Sequence, residues 1–599
     1  MTYLSKTSVS IGASGRHGFP MNPLHLTTGK FMHFEVAFAK EFAPKTSDKS
    51  INHKTFIRCL PMKKPLLSAV SFHKSAYFVP FRTVWEPFSD FKTDTPHVQQ
   101  EGAAILPNVP LLSNNIVVRY IIANSSEVFD WSIQDTGNYD FIAAGGDGQN
   151  HAFKMNSVAR DCFKLLRSLG YGVYFRAYDP EGLTDRTQSA LPLLCVAKVY
   201  LDYYFPNQYA HTGYYINLDG IFNRQYVYTL SSQDFVSIVE VVRYVAYSDD
   251  YFVSAFDSPL GPSDGVSSTD YNLFDVSELL SGMSSSSEST LSVKNFAISG
   301  TPYVETSKSN IVLTQEMDDK LKALTNYIRR HGLAGSRSLE RYLADYGVAL
   351  DADKLRRCYK LGEKHYPLQV SDIMSTSDTL QQVADEVTGA ALGDYAGSGI
   401  AFNGDFECTL DTKEFGYFFI INTIIPEVAY FQGVDRNVLH KTKLDFFTGD
   451  FDGLSTRPIS SEELFVGTKR SSANYDAIFG FVPMYAEYKL SPDRVTGDFL
   501  LSSLNVGLEG FSTVREFDDT FDNSGGEFDV VHSFNFILGY DWEQYNRIFS
   551  SSDDDSDKFV IVHRCNMKPF MPARPLYDFY DFEDGKEKVS LDVNGVKSN

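Results

Sequence analysis

Few residues in this sequence stand at spacings that chemistry requires. A serine nucleophile on a strand-to-helix elbow needs Gly-x-Ser-x-Gly, and Gly12-Ala13-Ser14-Gly15 misses that spacing. There is no Gly-x-x-x-x-Gly-Lys-Ser/Thr phosphate loop and no His-Glu-x-x-His zinc motif. Gly145-Gly146-Asp147-Gly148 has the make-up of an anion or calcium cradle, but after the apolar stretch Phe141–Ala144 it reads more plainly as a turn. The acidic run Asp553, Asp554, Asp555 and Asp557 lacks the mid-loop Gly and closing Glu of a calcium hand, and Asp518–Asp529 is a second acidic loop of the same kind. No specific motif therefore supports a structural divalent cation. The histidines are mostly isolated: His33 sits among strand residues and His331 near a helix end, so both read as structural. Asp249 and Asp250 are adjacent, which on a strand puts them on opposite faces, whereas acid–base work needs convergent carboxylates. The sequence predicts no catalytic residue, no cofactor site and no metal site.

Aromatic residues interleaved with basic ones are the richer signal. Tyr77, Phe78, Pro80, Arg82 and Trp85 close one strand and open a helix; Pro483, Tyr485, Tyr488 and Lys489 follow another. Such segments suit the stacking of unpaired bases. They suit contacts between subunits equally well, where Tyr, Trp and Arg are enriched.

The elements that must hold these residues are mixed. Period-2 alternation predicts strands over Phe31–Phe38, Ser71–Phe81, Asn115–Ile122, Gly213–Leu218, Glu407–Leu410, Tyr417–Ile424, Val428–Phe431, Ala477–Val482, Phe528–Phe536 and Lys558–Arg564. In the first of these, Met32, Phe34, Val36 and Phe38 form an apolar face. Helical spacing predicts helices over Phe153–Leu169, Ala190–Phe205 with Pro192 in its first turn, Phe235–Tyr247, Gln315–His331 and Ser336–Tyr346. Residues 1–30 are rich in Ser, Gly and Thr and read as an extended arm; Ser258–Ser307 reads as a long surface excursion. Strands that resume after residue 400, beyond a helical middle, favour one antiparallel β core over a βαβ repeat.

Composition bounds the function. With 599 residues the prior is several domains, and 43% hydrophobic residues can bury a sizeable core. The 47 Phe and 35 Tyr against 3 Trp lean towards β structure. A formal charge of −22 argues against nucleic-acid binding through the net field and leaves only local basic patches for it. The six cysteines, Cys59, Cys162, Cys195, Cys358, Cys408 and Cys565, form no CxxC pair and read as reduced, small apolar residues. The first twenty residues lack a secretory apolar core, and Gly416–Gly433 is interrupted by Asn422, Pro426 and Glu427, so the reading is of a soluble protein made inside a cell.

The order of segments resembles the major capsid protein of microviruses, small icosahedral bacteriophages with circular single-stranded DNA, and is most similar to the gokushovirus-like branch. The resemblance runs through Ala76–Phe88, Ser189–Tyr209, Asp249–Phe256, Ala334–Val348, Tyr359–Thr379, Glu414–Phe465 and Ile478–Phe499. Its most specific stretch is Gly480-Phe-Val-Pro-Met-Tyr485-Ala-Glu-Tyr488-Lys489 followed by Gly497-Asp498-Phe499.

That resemblance implies a mainly β fold, a single eight-stranded antiparallel jelly roll of viral capsid type with long helix-containing insertions. It divides the chain into an arm over 1–30 and one domain over 31–599, built from early strands (about 31–122) and late strands (about 400–565) around an inserted region of about 150–395. It implies a structural protein of the virion, not an enzyme, which assembles in the host cytoplasm as about sixty copies in a T=1 shell. The implied partners are further copies of itself, the viral single-stranded DNA, a small basic DNA-condensing protein, a pilot or minor virion protein and a host surface receptor. Lys441, Lys443, Arg564 and Lys568 are candidate inner-face DNA contacts, to be weighed against ordinary surface charge. The protruding loop of such shells falls within 257–314 (Ser258, Ser284 and Ser307 mark it) or alternatively Pro206–Leu230. A secreted or surface glycan-binding or glycan-cleaving β protein would need a signal peptide or convergent carboxylates, and two tandem jelly rolls would need two comparable strand sets; the sequence offers none of these.

Overall fold

The computed structural model describes residues 16–62, 66–94, 98–100, 103–105, 107–129, 139–144, 150–172, 186–206, 209, 213–222, 229–256, 356–368, 370–371, 381–383, 386–388, 399–400, 402–443, 445–449, 452, 456–466, 478–500, 511–517, 534–549, 556–573, 578–579 and 589–590. The helices expected at Gln315–His331 and Ser336–Tyr346, the loop 257–314 with Ser258, Ser284 and Ser307, and Gly145–Gly148 lie outside the described residues.

Strand outweighs helix, and the two main sheets are antiparallel. Ten strands matter here: β1 (Leu24–Gly29), β2 (Glu35–Phe42), β3 (Ser47–Cys59), β4 (Val70–Pro80), β5 (Tyr359–Leu368), β6 (Phe402–Asp411), β7 (Gly416–Pro426), β8 (Thr456–Ser460), β9 (Ile478–Pro483) and β10 (Phe559–Asn566). The first sheet runs β1-β10-β3-β6, with Phe570–Met571 continuing beside β3 and His17–Gly18 beyond it. The second runs β5-β4-β7-β2. Early strands thus pair with late ones in both sheets: Leu24 faces Arg564 and Gly29 faces Phe559, while Gly416 lies between Phe42 and Pro80. Residues 24–29, at the end of the segment expected to be an arm, are an edge strand of the first sheet.

The sheets share a core. Ala37, Phe42, Ala76, Phe78, Phe418 and Ile420 from the second sheet meet Ile51, Phe406, Cys408, Leu410 and Cys565 from the first, all buried. Gly416 is fixed by this crowding, because a Cβ there would come within 2.3 Å of the Val79 carbonyl oxygen. The opposite face of the second sheet is also covered. Five helices lie among the insertions: α1 (Asn114–Ala123), α2 (Ser157–Ser168), α3 (Leu191–Tyr203), α4 (Gly213–Phe222) and α5 (Ser232–Val241). In α3 ten residues are buried all round, as expected of a helix enclosed by protein rather than lying at its surface. It packs on β4 and β7, and its end brings Tyr203 to 5.0 Å from the Tyr77 ring.

Two segments read as strands are helices. Asn115–Ile122 lies in α1, capped by Ser113, whose side chain accepts a hydrogen bond from the Asn115 N–H. Val117, Tyr120 and Ile121 are buried at helical spacing, so packing overrides the strand preference of the β-branched residues. Gly213–Leu218 lies in α4, which buries Leu218 and Ile221. Of Phe528–Phe536 the described part begins at Phe534, which opens a short helix, Phe534–Ile537. The alternation at Phe31–Phe38 also misleads, since both sides of this segment are enclosed: His33, Glu35 and Ala37 are as buried as Phe34 and Val36.

The polar residues on that segment are held by a buried charge network. His33 Nδ1 donates to the Phe31 carbonyl (2.7 Å) and its Nε2 lies 3.1 Å from Asp161. Asp161 also accepts from Lys30 (3.2 Å) and Arg243 (2.9 Å). Burial disfavours the Asp161 charge, but His33, and then Lys30 and Lys164, hold its carboxyl well below the ordinary range. Lys164 bridges Glu35 (3.4 Å) and Asp557 (3.2 Å). Burial pushes Glu35 up to about 7, against the pull of Lys164.

The first sheet differs. Its inward face packs on the second sheet, while its outward face carries Leu24, Leu26, Phe56 and Val560, all exposed, with Leu26 at 67%.

Candidate assembly surface

The first aromatic–basic motif lies inside the molecule. Tyr77, Phe78 and Trp85 are almost fully buried, and Pro80 ends β4 as the residue before the helical turn Phe81–Val84. Phe78 stacks on Tyr359 of β5 at 6.2 Å, and Trp85 packs edge-on to Phe88 and tilted against Phe91. Arg82 Nε donates to Glu414 (2.7 Å) and Nη2 to the Tyr359 hydroxyl (3.2 Å), which ties the end of β4 to the turn before β7. These side chains join β4, β5 and β7. None of the buried rings is open to an outside partner.

The second motif is built differently. β8 and β9 form a hairpin, and the chain then turns at Tyr485 with φ +59°, a left-handed conformation rare for a bulky residue. Tyr485 is fully buried, and the next turn, Ala486–Tyr488, swings Tyr488 outward to 51% exposure. Arg457 of β8 locks the base, donating to Glu487 (2.6 Å) and Asp445 (3.3 Å). The backbone N–H groups of Lys441 and Thr442 also donate to Asp445, which lowers its carboxyl to about 2. On this frame Phe446 and Phe447 stand exposed. The Phe447 ring lies 5.1 Å from Tyr485 and 5.7 Å from Tyr488, and its N–H donates to the Tyr488 hydroxyl (3.3 Å). His440 packs against Phe446 at 5.2 Å. Val438 and Leu490 extend the exposed apolar set, and Pro483, Lys441, Lys443 and Lys489 are exposed around it, Lys489 paired with Asp452.

A half-open cavity of about 240 Å³ adjoins this surface, lined by Tyr251, Phe252, Tyr430, Arg436, Glu463 and Glu487 among others. Its charges are engaged with one another: Arg436 holds Glu463 at 2.7 Å, and Arg494 holds Asp435. Among the described residues no group of three or more His, Cys, Asp or Glu is placed to hold a metal ion. All six cysteines are free and buried, and burial pushes the Cys162 and Cys195 thiols up, away from reactivity.

The four basic candidates fall in two places. Lys441 and Lys443 flank the aromatic loop; Arg564 lies exposed on β10 and Lys568 just beyond it, in the first sheet. Phe446 and Phe447 did not stand out in the sequence, although a Phe pair in the polar setting Lys-Leu-Asp-Phe-Phe-Thr-Gly-Asp is a usable signal of an exposed apolar tip.

The second motif falls within the span that a family model recognises. The model for the capsid protein (F protein) family matches residues 248–552. The chain is also similar to the capsid protein VP1 of Chlamydia phage 1, 24% identical over 238 residues, or 38% of either chain. To the capsid protein VP1 of Spiroplasma virus 4 it is 21% identical over 173 residues, covering 29% of this chain and 30% of that one. The chain thus spans 38% of the length of the first of these relatives and 30% of the second. A match that takes in half the chain, and with it the β8–β9 hairpin and the exposed Phe446, Phe447 and Tyr488, places this protein in the capsid protein (F protein) family.

Proposed function

We propose that this protein is the major structural protein of a small icosahedral virion, and that copies of it associate through the aromatic surface of residues 438–490 into a closed shell around circular single-stranded DNA. The observation that carries the reading is that exposed surface: Val438, Phe446, Phe447, Tyr488 and Leu490 stand on a base locked by Arg457. Apolar and aromatic groups held rigidly in water gain most by meeting a complementary surface, and little ordering entropy is lost when they do. About sixty copies in a T=1 arrangement would leave no interface open.

The two sheets fit one eight-stranded jelly roll. The chain alternates between them except from β4 to β5, which both lie in the second sheet with the helical insertions between them, and the orders β1-β10-β3-β6 and β5-β4-β7-β2 support that fold for the single domain. The reading keeps the other expected partners: a small basic protein to neutralise the genome, a pilot or minor virion protein, and a host receptor met by the loop 257–314. Lys441, Lys443, Arg564 and Lys568 remain candidate DNA contacts.

The test is a Phe447→Ser/Tyr488→Ser double variant, chosen because both rings are half-exposed and their loss leaves the core intact. Loss of particles in electron micrographs, with circular dichroism and thermal unfolding of the subunit unchanged, supports the proposal. Particles of normal size and yield would refute the assignment of this surface.

A further inference from the structure

The outward face of the first sheet combines two chemistries in register. Across the strands β1, β10 and β3, Leu26 faces Val562 and Val562 faces Phe56; one row along, Leu24 faces Arg564 and Arg564 faces Lys54; on the other side, Thr28 faces Val560 and Val560 faces Arg58. Partners in such rows sit about 4.5–5.5 Å apart, and Lys54, Phe56 and Arg58 follow one another at about 6.5 Å along β3. An apolar row ending in an exposed ring is therefore bordered on both sides by cations. Further along the sheet the pattern recurs, with the exposed Lys568 ammonium 5.7 Å from the exposed Phe570 ring. Among the described residues, the exposed acidic residues of this face, Asp405, Glu407 and Asp411, lie on the edge strand β6, and at the opposite border the mostly buried Asp557 accepts from the Thr28 hydroxyl and is paired with Lys30 and Lys164. Only Lys54 pairs with one of the β6 carboxylates in the described structure, at 3.5 Å and half exposed, a weak contact. On a chain of net charge −22, the strip over β10 and β3 reverses the local sign.

We propose that this face binds unpaired single-stranded nucleic acid without regard to sequence, a base stacking on Phe56 while Lys54, Arg58 and Arg564 meet the flanking phosphates. The proposal rests on the shell-and-genome reading above and narrows its DNA contacts to the first sheet, with Arg564 and Lys568 retained and Lys441 and Lys443 left to the aromatic loop. Stacking on an aromatic side chain is open to every base, and cations beside the ring track a backbone of repeating charge. A two-fold contact with a second copy fits less well, because it would set Arg58 and Arg564 against their own counterparts. An acidic polypeptide would satisfy the cations but leave the purpose of the ring unexplained.

The experiment uses the full-length unassembled protein and a fluorescent 30-nucleotide oligothymidine, with affinity followed by anisotropy across a salt series. Three phosphate contacts give a slope of about −2 in log affinity against log salt. The double variant Arg58→Gln/Arg564→Gln is expected to weaken binding by at least about tenfold at low salt and to flatten that slope. Phe56→Thr, which preserves strand preference, is expected to weaken binding roughly five- to tenfold with the slope unchanged. Lys443→Gln is expected to change neither. In electron micrographs the first two variants should still form particles, with reduced nucleic-acid absorbance. Oligothymidine affinity and slope unchanged in the Arg double variant would overturn the proposal. So would tighter binding of polyglutamate than of oligothymidine, or loss of particles with oligothymidine binding intact, which would make the face a subunit contact. Failure of the unaltered protein to form particles would count against the shell reading, whereas the oligothymidine result stands on its own.

Discussion

The two sheets of this protein are built from similar strands and placed in opposite circumstances. Apart from its edge strand β5, the second is enclosed, with the shared core on one side and α3 on the other, so even the polar residues beside it (His33, Glu35, Lys74) are out of water. The first has water on its outward face. An enclosed sheet contributes stability and can meet nothing; a half-exposed sheet contributes less per residue and is free to bind. The contrast predicts that the same kind of substitution will have opposite consequences on the two.

The largest expected effect is at Phe418, fully buried between the sheets. Phe418→Ala should cost about 4 kcal/mol of unfolding free energy, since lost transfer energy and a cavity add. Urea denaturation checks it, and a loss below about 1 kcal/mol would mean that the sheets do not share that core.

Next is Asp161, the carboxylate that holds Lys30, His33 and Arg243. Asp161→Asn leaves buried cations uncompensated and should destabilise by about 3 kcal/mol. A parallel measurement on Asp405→Asn, whose partner Lys54 is half exposed, should stay within about 0.5 kcal/mol.

The third concerns acid. The interior between the sheets holds His53, His563 and Lys74, with His25 at 5.8 Å from the His563 ring, and Asn422, Thr55 and Cys565 nearby. Lys74 Nζ donates to the carbonyls of His53 (3.2 Å) and Gly404 (3.3 Å), and Asp405 is the carboxylate that draws its charge. Burial, then the neighbouring cations, hold both imidazoles well below 6.5, and burial lowers Lys74 to about 7. Below pH 6.5 the unfolded chain takes up protons that the folded histidines refuse, so stability falls as pH drops from 6.5 towards their folded values. Lys74 adds a slope of the same sign between pH 7 and 10.5. Glu35, raised to about 7, opposes the histidines between pH 4.5 and 7, with one proton against two. His33 and His73, also lowered by burial, add to the loss, while Asp250 and Glu463, raised by burial, oppose it; the predicted net is a loss of stability from pH 7 to pH 5. In His53→Gln/His563→Gln it should shrink or reverse; an identical acid limb would show that these rings are not its cause.

The smallest effect belongs to the exposed face. Leu26→Thr should change stability by less than about 0.5 kcal/mol. A cost like that of Phe418→Ala would mean that the face is covered within the folded subunit.

The same contrast explains what could be read in the sequence. β4 and β7 were legible because enclosure makes them long and apolar. β3 was not: its inward residues include Asp48, His53 and Thr55, so burial and hydropathy part company. β5 hid for the opposite reason: it is an edge strand whose Lys360, Glu363, Lys364 and His365 are exposed, so it lacks an apolar run. α1 reads as a strand because Ile-Val-Val has strand chemistry, and only the Ser113 cap and the packing of Val117 and Ile121 decide for a helix. At the proposed assembly surface the order of Pro483, Tyr485, Tyr488 and Lys489 is visible, but which ring is buried depends on the left-handed turn at Tyr485, which no pattern announces. Arg564 was picked out by charge alone; its neighbours Leu24, Leu26 and Phe56 come together only through strand register.

The central claim is that this chain builds a shell by itself. Electron microscopy of the purified, unaltered protein tests it most directly: small particles of uniform size with icosahedral symmetry are the predicted result, and a protein that stays monomeric at every concentration and ionic strength would contradict it.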